Sequence, residues 1–174
     1  LKKWSIVALT ALLTFMGFFA YVNKDFFYVN VTLPSSFVSG TNGEDYIAQA
    51  EEDGIEAAIN GDGSITYRMN RLQHYLEITE QKREILWTIK EIIAHVEHPS
   101  IHDIKYNNSF SELTILVDRP TYEGTMDGMV SVLLGLLCVK YQLYNGASLE
   151  NYHVKVTIQD KETYEVISDT VVPW

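Results

Sequence analysis

The run from Trp4 to Val22 holds nineteen residues and not one charge, with Lys2-Lys3 before it and Lys24-Asp25 after it. No other stretch restricts the chain as much, because few folds besides a membrane span use so many uncharged residues in succession. As a helix at 1.5 Å per residue the run would extend about 28 Å, close to the roughly 30 Å hydrocarbon core of a bilayer. Nine of the nineteen are Ile, Val, Leu or Phe, which at roughly −0.3 to −0.6 kcal/mol each favours insertion by about 3–5 kcal/mol. The expectation is a transmembrane helix. Its membrane-anchoring side chains are Trp4, Leu12, Leu13, Phe18, Phe19 and Tyr21, with Trp4 and Tyr21 at the two interfaces.

This divides the chain into an N-terminal anchor, residues 1–25, and a domain, residues 26–174. Lys2 and Lys3 stand against Lys24 alone, so the N-terminus is expected in the cytoplasm and the domain outside the cell membrane, in a single-pass arrangement. Bulky Phe18 lies two positions before Ala20, a poor match to an A-x-A cleavage site, so an uncleaved signal-anchor is expected. Cleavage after Ala20 is the alternative. In either case the lipid bilayer is the first expected partner of the N-terminal helix.

Length and charge narrow the rest. The 174 residues suit one domain with a short appendage, and 47 % apolar with 21 % charged residues excludes a disordered tail. A formal charge of −10 argues against nucleic acid, which needs a basic footprint. Setting aside Lys2, Lys3 and Lys24 leaves ten basic residues against 23 acidic ones from Asp25 onward. A partner steered to such a surface would be an envelope protein with a basic face. The single cysteine, Cys138, excludes an internal disulfide.

Periodicity supplies the elements. Phe27 to Leu33 alternates apolar and polar residues as a half-buried strand does, and Pro34 ends it. Glu44 to Glu52 reads as a short helix with acidic residues in its first turn, stopped by Gly54. Ile55–Ile59 and Ser64–Met69 flank Asn60-Gly61-Asp62-Gly63, a hairpin signal. Asn70 can cap a long helix, Arg71 to Val96, whose apolar positions are Leu72, Tyr75, Leu76, Leu86, Ile89, Ile92, Ile93 and Val96. A second hairpin, Ile101–Tyr106 with Leu113–Val117, precedes a third helix from Tyr122 to Tyr144. Eleven uncharged residues at its centre, Met129 to Val139, are too few for a membrane span and indicate a buried helix. Gly128 and Gly135 within it would cost about 1 kcal/mol each against Ala and so imply close backbone packing. His153–Gln159 and Tyr164–Val172 form a last hairpin. The expected fold class is α+β: an N-terminal transmembrane helix, then a mostly antiparallel sheet with about three helices packed on one face.

Four short motifs run along nearly the whole domain: Val31-Thr32-Leu33-Pro34, Asp62-Gly63-Ser64-Ile65-Thr66-Tyr67-Arg68-Met69, Ile104-Lys105-Tyr106-Asn107 and Tyr141-Gln142-Leu143-Tyr144-Asn145-Gly146. In their order the chain resembles an uncharacterised family of small membrane- or lipid-anchored extracytoplasmic envelope proteins of Gram-positive bacteria. The resemblance implies no catalytic residues. Lipid-anchored relatives would carry a Cys near Phe18, which this chain lacks.

Candidate chemistry is sparse. His95, His98 and His102, beside Glu97 and Asp103, form a candidate zinc or copper site, although they straddle a helix end and a Pro turn where solvated histidines are ordinary. Asn60, Asp62, Ser64 and Thr66 imitate the odd positions of a calcium loop, but Arg71 occupies the place of its essential Glu, and a hairpin turn explains them. Cys138 sits in the most apolar part of its helix, where packing is the simpler role. No catalytic set and no cofactor is indicated. Eleven tyrosines, among them Tyr67, Tyr75, Tyr106, Tyr122, Tyr141, Tyr144, Tyr152 and Tyr164, supply either a binding surface or core packing. The expected function is a membrane-tethered extracytoplasmic binding or accessory module, non-catalytic; an envelope-directed hydrolase with a site dispersed in the sequence is the alternative.

Overall fold

Val31 and Leu33, alternate residues of one extended stretch, point into the core of a computed structural model that describes residues 12–18, 27–38 and 43–173. In chain order the elements are α1 (residues 12–18), β1 (Tyr28–Leu33), α2 (Ser35–Val38), α3 (Gly43–Glu52), β2 (Glu56–Ile59), β3 (Ile65–Asn70), α4 (Arg71–Ala94), β4 (Ile101–Tyr106), β5 (Glu112–Val117), α5 (Arg119–Tyr122), α6 (Met129–Tyr144), β6 (Val154–Asp160) and β7 (Val166–Val172).

The strands form two sheets. The first has the order β1-β3-β2 and is antiparallel throughout. Its hairpin turn is closed by side chains: Asp62 Oδ1 accepts from the Ser64 amide and hydroxyl, and Asn60 Nδ2 donates to Ser64 and Thr66. The residues that imitate a calcium loop therefore bond to one another. Ile65, Tyr67 and Met69 alternate inward along β3. Asn70 then caps α4, accepting from the amides of Leu72 and Gln73 while the Gln73 side chain accepts from the Asn70 amide.

The second sheet has the order β4-β5-β6-β7, with β4/β5 and β6/β7 as antiparallel hairpins and β5/β6 parallel. A parallel pair needs a crossover of a dozen or more residues, and α5 and α6 provide it. The helices α4 and α6 pack against each other; α4 also meets β1, β3 and β4, and α6 meets β1, β6 and β7. One apolar core extends through both sheets and both helices, from Val31 and Met69 past Ile85 and Leu134 to Val156.

The α+β class holds in its element types, but the expected architecture needs four corrections. First, there are two sheets, not one mostly antiparallel sheet, because α4 carries the chain from one edge system to another and the crossover makes β5/β6 parallel. Second, the described residues contain six helical segments rather than about three on one face. The helix expected over Tyr122–Tyr144 is two, since Asp118 caps the single turn α5 and the chain opens at Glu123 before α6 begins. Third, α4 buries Gln81, Ile85, Ile89 and Ile92, whereas Leu72, Tyr75 and Leu76 are 67 %, 65 % and 56 % exposed. Fourth, among the described residues no helix is long and apolar enough to cross a membrane. Leu12, Leu13 and Phe18 belong to α1 and are exposed; Trp4, Phe19 and Tyr21, with the rest of the charge-free run, lie outside the described residues.

Candidate functional site

Gly135 places β7 directly on α6: a Cβ built on it would lie 2.7 Å from Val172 Cγ2. Gly128, at the start of the helix, would likewise meet the Tyr122 hydroxyl at 2.9 Å. The β-branched Val172 leaves no room for a side chain at Gly135, whereas the end of the Tyr122 side chain at Gly128 can swing aside. Beside α6, Pro34 ends β1 and the short turn α2 brings up Phe37, whose carbonyl accepts from the Tyr46 hydroxyl at 3.2 Å. Between these elements lies an open groove of about 520 Å³, inside the roughly 300–1,000 Å³ range of small-molecule sites.

Its walls are Phe37 from α2, Leu133, Leu136, Leu137 and Val139 from α6, and Val172 with Pro173 at the end of β7. Two polar residues join them, Ser36 and Lys140. Leu133 and Leu136 are exposed although α6 is apolar on every side, a composition that ordinarily marks a helix buried all round. No ion pair with Lys140 occurs among the described residues. Its described lining residues carry one hydroxyl, one ammonium, and no carboxylate or imidazole.

Of the three histidines, His95 and His98 line one shallow depression with Glu91 and Glu97, and His102 is not among its lining residues. His95 is exposed beside Glu97, with Nδ1 at 3.9 Å from Oε2; His102 points to solvent from β4. His98 faces Asp127, with Nδ1 3.0 Å from Oδ1. Among the described residues no three His, Cys, Asp or Glu come together as a metal set.

Asp127 is instead the centre of a buried polar tie. It is 5 % exposed and also accepts from the Ser100 amide at 3.2 Å and from the Ser100 hydroxyl. Burial works to raise its pKa, but the bonds from Ser100 and His98 outweigh burial and hold the carboxyl below its ordinary value. Because the Ser100 hydroxyl donates to the carboxylate and not to the imidazole, and is itself buried, these three residues do not form a nucleophilic relay. They lock the turn before β4 to the loop before α6. Burial, helped by the Asp127 charge, also raises the Tyr122 hydroxyl.

Cys138 lies fully buried on α6, and burial pushes its thiol up to about 12, so it is packing and not a nucleophile. Tyr67, Tyr141 and Tyr144 belong to the core, and Tyr106 stacks on Phe110 with ring centroids 5.2 Å apart. Tyr75 and Tyr164 are exposed, on α4 and in the β6–β7 turn. The groove escaped the sequence reading because its walls come from residues about a hundred positions apart. Its one legible trace was the uncharged block on α6, read there only as burial.

No family model matches the chain, and no curated protein and no solved structure is similar to it. Two of the four short motifs map to core strands, with Val31, Leu33, Ile65, Tyr67 and Met69 all buried.

Proposed function

We propose that the chain is a non-catalytic, membrane-tethered extracytoplasmic binding module whose groove takes up an apolar ligand. One observation carries the reading: the groove between α2, α6 and the end of β7 has an exposed leucine surface and almost no polar lining. Exposed apolar surface gathered into a concave site marks binding more than it serves stability. The tether rests on the sequence alone, in the uncharged residues from Trp4 to Val22 and their flanking lysines. A hydrolase has weaker support. The carboxylates held below their usual pKa at Asp62, Asp160 and Asp169 bond to neighbouring hydroxyls, amides or a lysine, the partners of turns and strands.

The test uses the full chain in phosphatidylcholine nanodiscs with a small neutral aryl diazirine. Photolabel should concentrate on the α6 peptide containing Leu133 and Leu136, and wall fragments should remain uncut. Uniform labelling would remove the binding reading, and cleavage of wall fragments would put the hydrolase in its place. Protease added outside stripped cells should degrade the domain; protection would reverse the proposed orientation.

A further inference from the structure

Lys140 is the one charged residue among the described lining of the groove. Leu133, Leu136, Leu137 and Lys140 follow one another at helical spacing, so they form a single stripe along α6. Seven residues separate Leu133 from Lys140, which at 1.5 Å each places the ammonium about 10 Å along the stripe from the first leucine. The apolar walls thus lead to one cation that has no ion-pair partner among the described residues, within a chain of formal charge −10. Lys140 is the one charged side chain among the described lining residues, and it follows the leucines on the same helix, so an anionic group on an apolar chain would meet a complementary charge there.

The geometry points to a single-chain anionic amphiphile, a long-chain carboxylate, as the occupant, with its hydrocarbon along the leucine stripe of α6 and its headgroup at Lys140. This rests on the binding reading above and names the ligand class for the same groove. One charge suits one ammonium; a neutral chain would leave Lys140 unused. An apolar peptide segment fits less well, since its own amide groups would be desolvated against walls whose described side chains offer them Ser36 and Lys140 alone.

The experiment compares two photoreactive probes of equal chain length, a diazirine-bearing C16 carboxylate and the corresponding C16 alcohol, on the full chain in phosphatidylcholine nanodiscs. The carboxylate should label the α2 and α6 peptides about three- to fivefold more than the alcohol, the size that a partly exposed ion pair supports. Lys140→Met, which keeps the aliphatic stem, should bring carboxylate labelling down to the level of the alcohol; Lys140→Arg should keep the preference. Equal labelling of the wild-type groove by both probes would overturn the inference and leave the binding module standing. If neither probe labels the groove, both fall. The wild-type comparison decides the matter even if a Lys140 variant fails to fold.

Discussion

The two long helices solve the same packing problem from opposite compositions. In α4, charged residues surround a narrow buried face of Gln81, Ile85, Ile89 and Ile92, and its start is secured by the Asn70–Gln73 capping box. In α6, Val130, Leu134, Cys138 and Val139 are buried, Leu133 and Leu136 face outward, and no side chain caps the start. The contrast separates local from tertiary stabilisation. A helix like α4 carries its own terminus and solvated face, whereas α6 depends on what lies against it, β7 at Gly135 and the groove beside it.

Truncating the buried positions gives the largest effects. Leu134→Ala on α6 and Ile85→Ala on α4, both at fully buried sites, should each cost about 2–5 kcal/mol in urea unfolding. Leu76→Ala, at an exposed site on α4, should stay within about 0.5 kcal/mol. If Leu76→Ala cost as much as Ile85→Ala, the assignment of the buried face of α4 would be wrong.

The contact at Gly135 comes next. Gly135→Ala gains roughly 1 kcal/mol of helix propensity, yet the new methyl would stand 2.7 Å from Val172 Cγ2 and 3.1 Å from its Cβ. Overpacking of this kind costs about 1–3 kcal/mol, so a net loss is expected. Val172→Ala should relieve it, and the double variant should be more stable than the two single changes predict by addition. Additive losses would mean that the strand is free to move away.

Asp127 tests the loop that launches α6. Asp127→Asn sets an amide against the Ser100 amide and hydroxyl, and should cost about 1–3 kcal/mol at neutral pH. Since the folded carboxyl titrates below its ordinary value, its contribution is fully present above the unfolded pKa and is lost as pH falls through the lower, folded one. Acid unfolding curves below about pH 4 should therefore be shallower in Asp127→Asn than in the wild type. Unchanged acid behaviour would remove Asp127 from the set of stabilising carboxylates.

A smaller effect belongs to the cap that only α4 has. Asn70→Ala should cost about 1 kcal/mol, the usual value for a lost N-cap. Loss of a full core contact's worth would show that Asn70 also holds β3.

Much of this was legible in residue order, and the exceptions share a cause. Asn70 was readable as a cap and Asn60 to Ser64 as a turn, because each depends on neighbours within a few residues; Gly135 was readable as a site of close approach from its cost to the helix, but not its partner Val172. What depends on distant residues was not readable. His98 was grouped with His95 and His102 by proximity in the sequence, while its partner Asp127 lies 29 positions away. Leu72, Tyr75 and Leu76 have the spacing of a core face, but α4 extends past the elements that could cover it. The break before α6 had its local signs in Gly124 and Gly128, yet the apolar block beyond them suggested one continuous helix. The parallel pairing of β5 and β6 follows from the crossover and appears in neither strand's own pattern.

The smallest change in stability should accompany the largest change in binding. Leu136 is exposed on α6 and lines the groove, so Leu136→Ser removes little surface that folding had buried and should shift stability by no more than about 0.5 kcal/mol. Leu76→Ser on α4 has the same chemistry outside any groove and should be equally mild. The two diverge only if the exposed leucines of α6 exist for a ligand: photolabelling of the α6 peptide should then fall in Leu136→Ser and stay unchanged in Leu76→Ser. Equal labelling in both would make the outward faces of the two helices equivalent, and the groove would be no more than leftover apolar surface. A large loss of stability in Leu136→Ser alone would instead place that leucine in the core, and the opening beside it would not be a site.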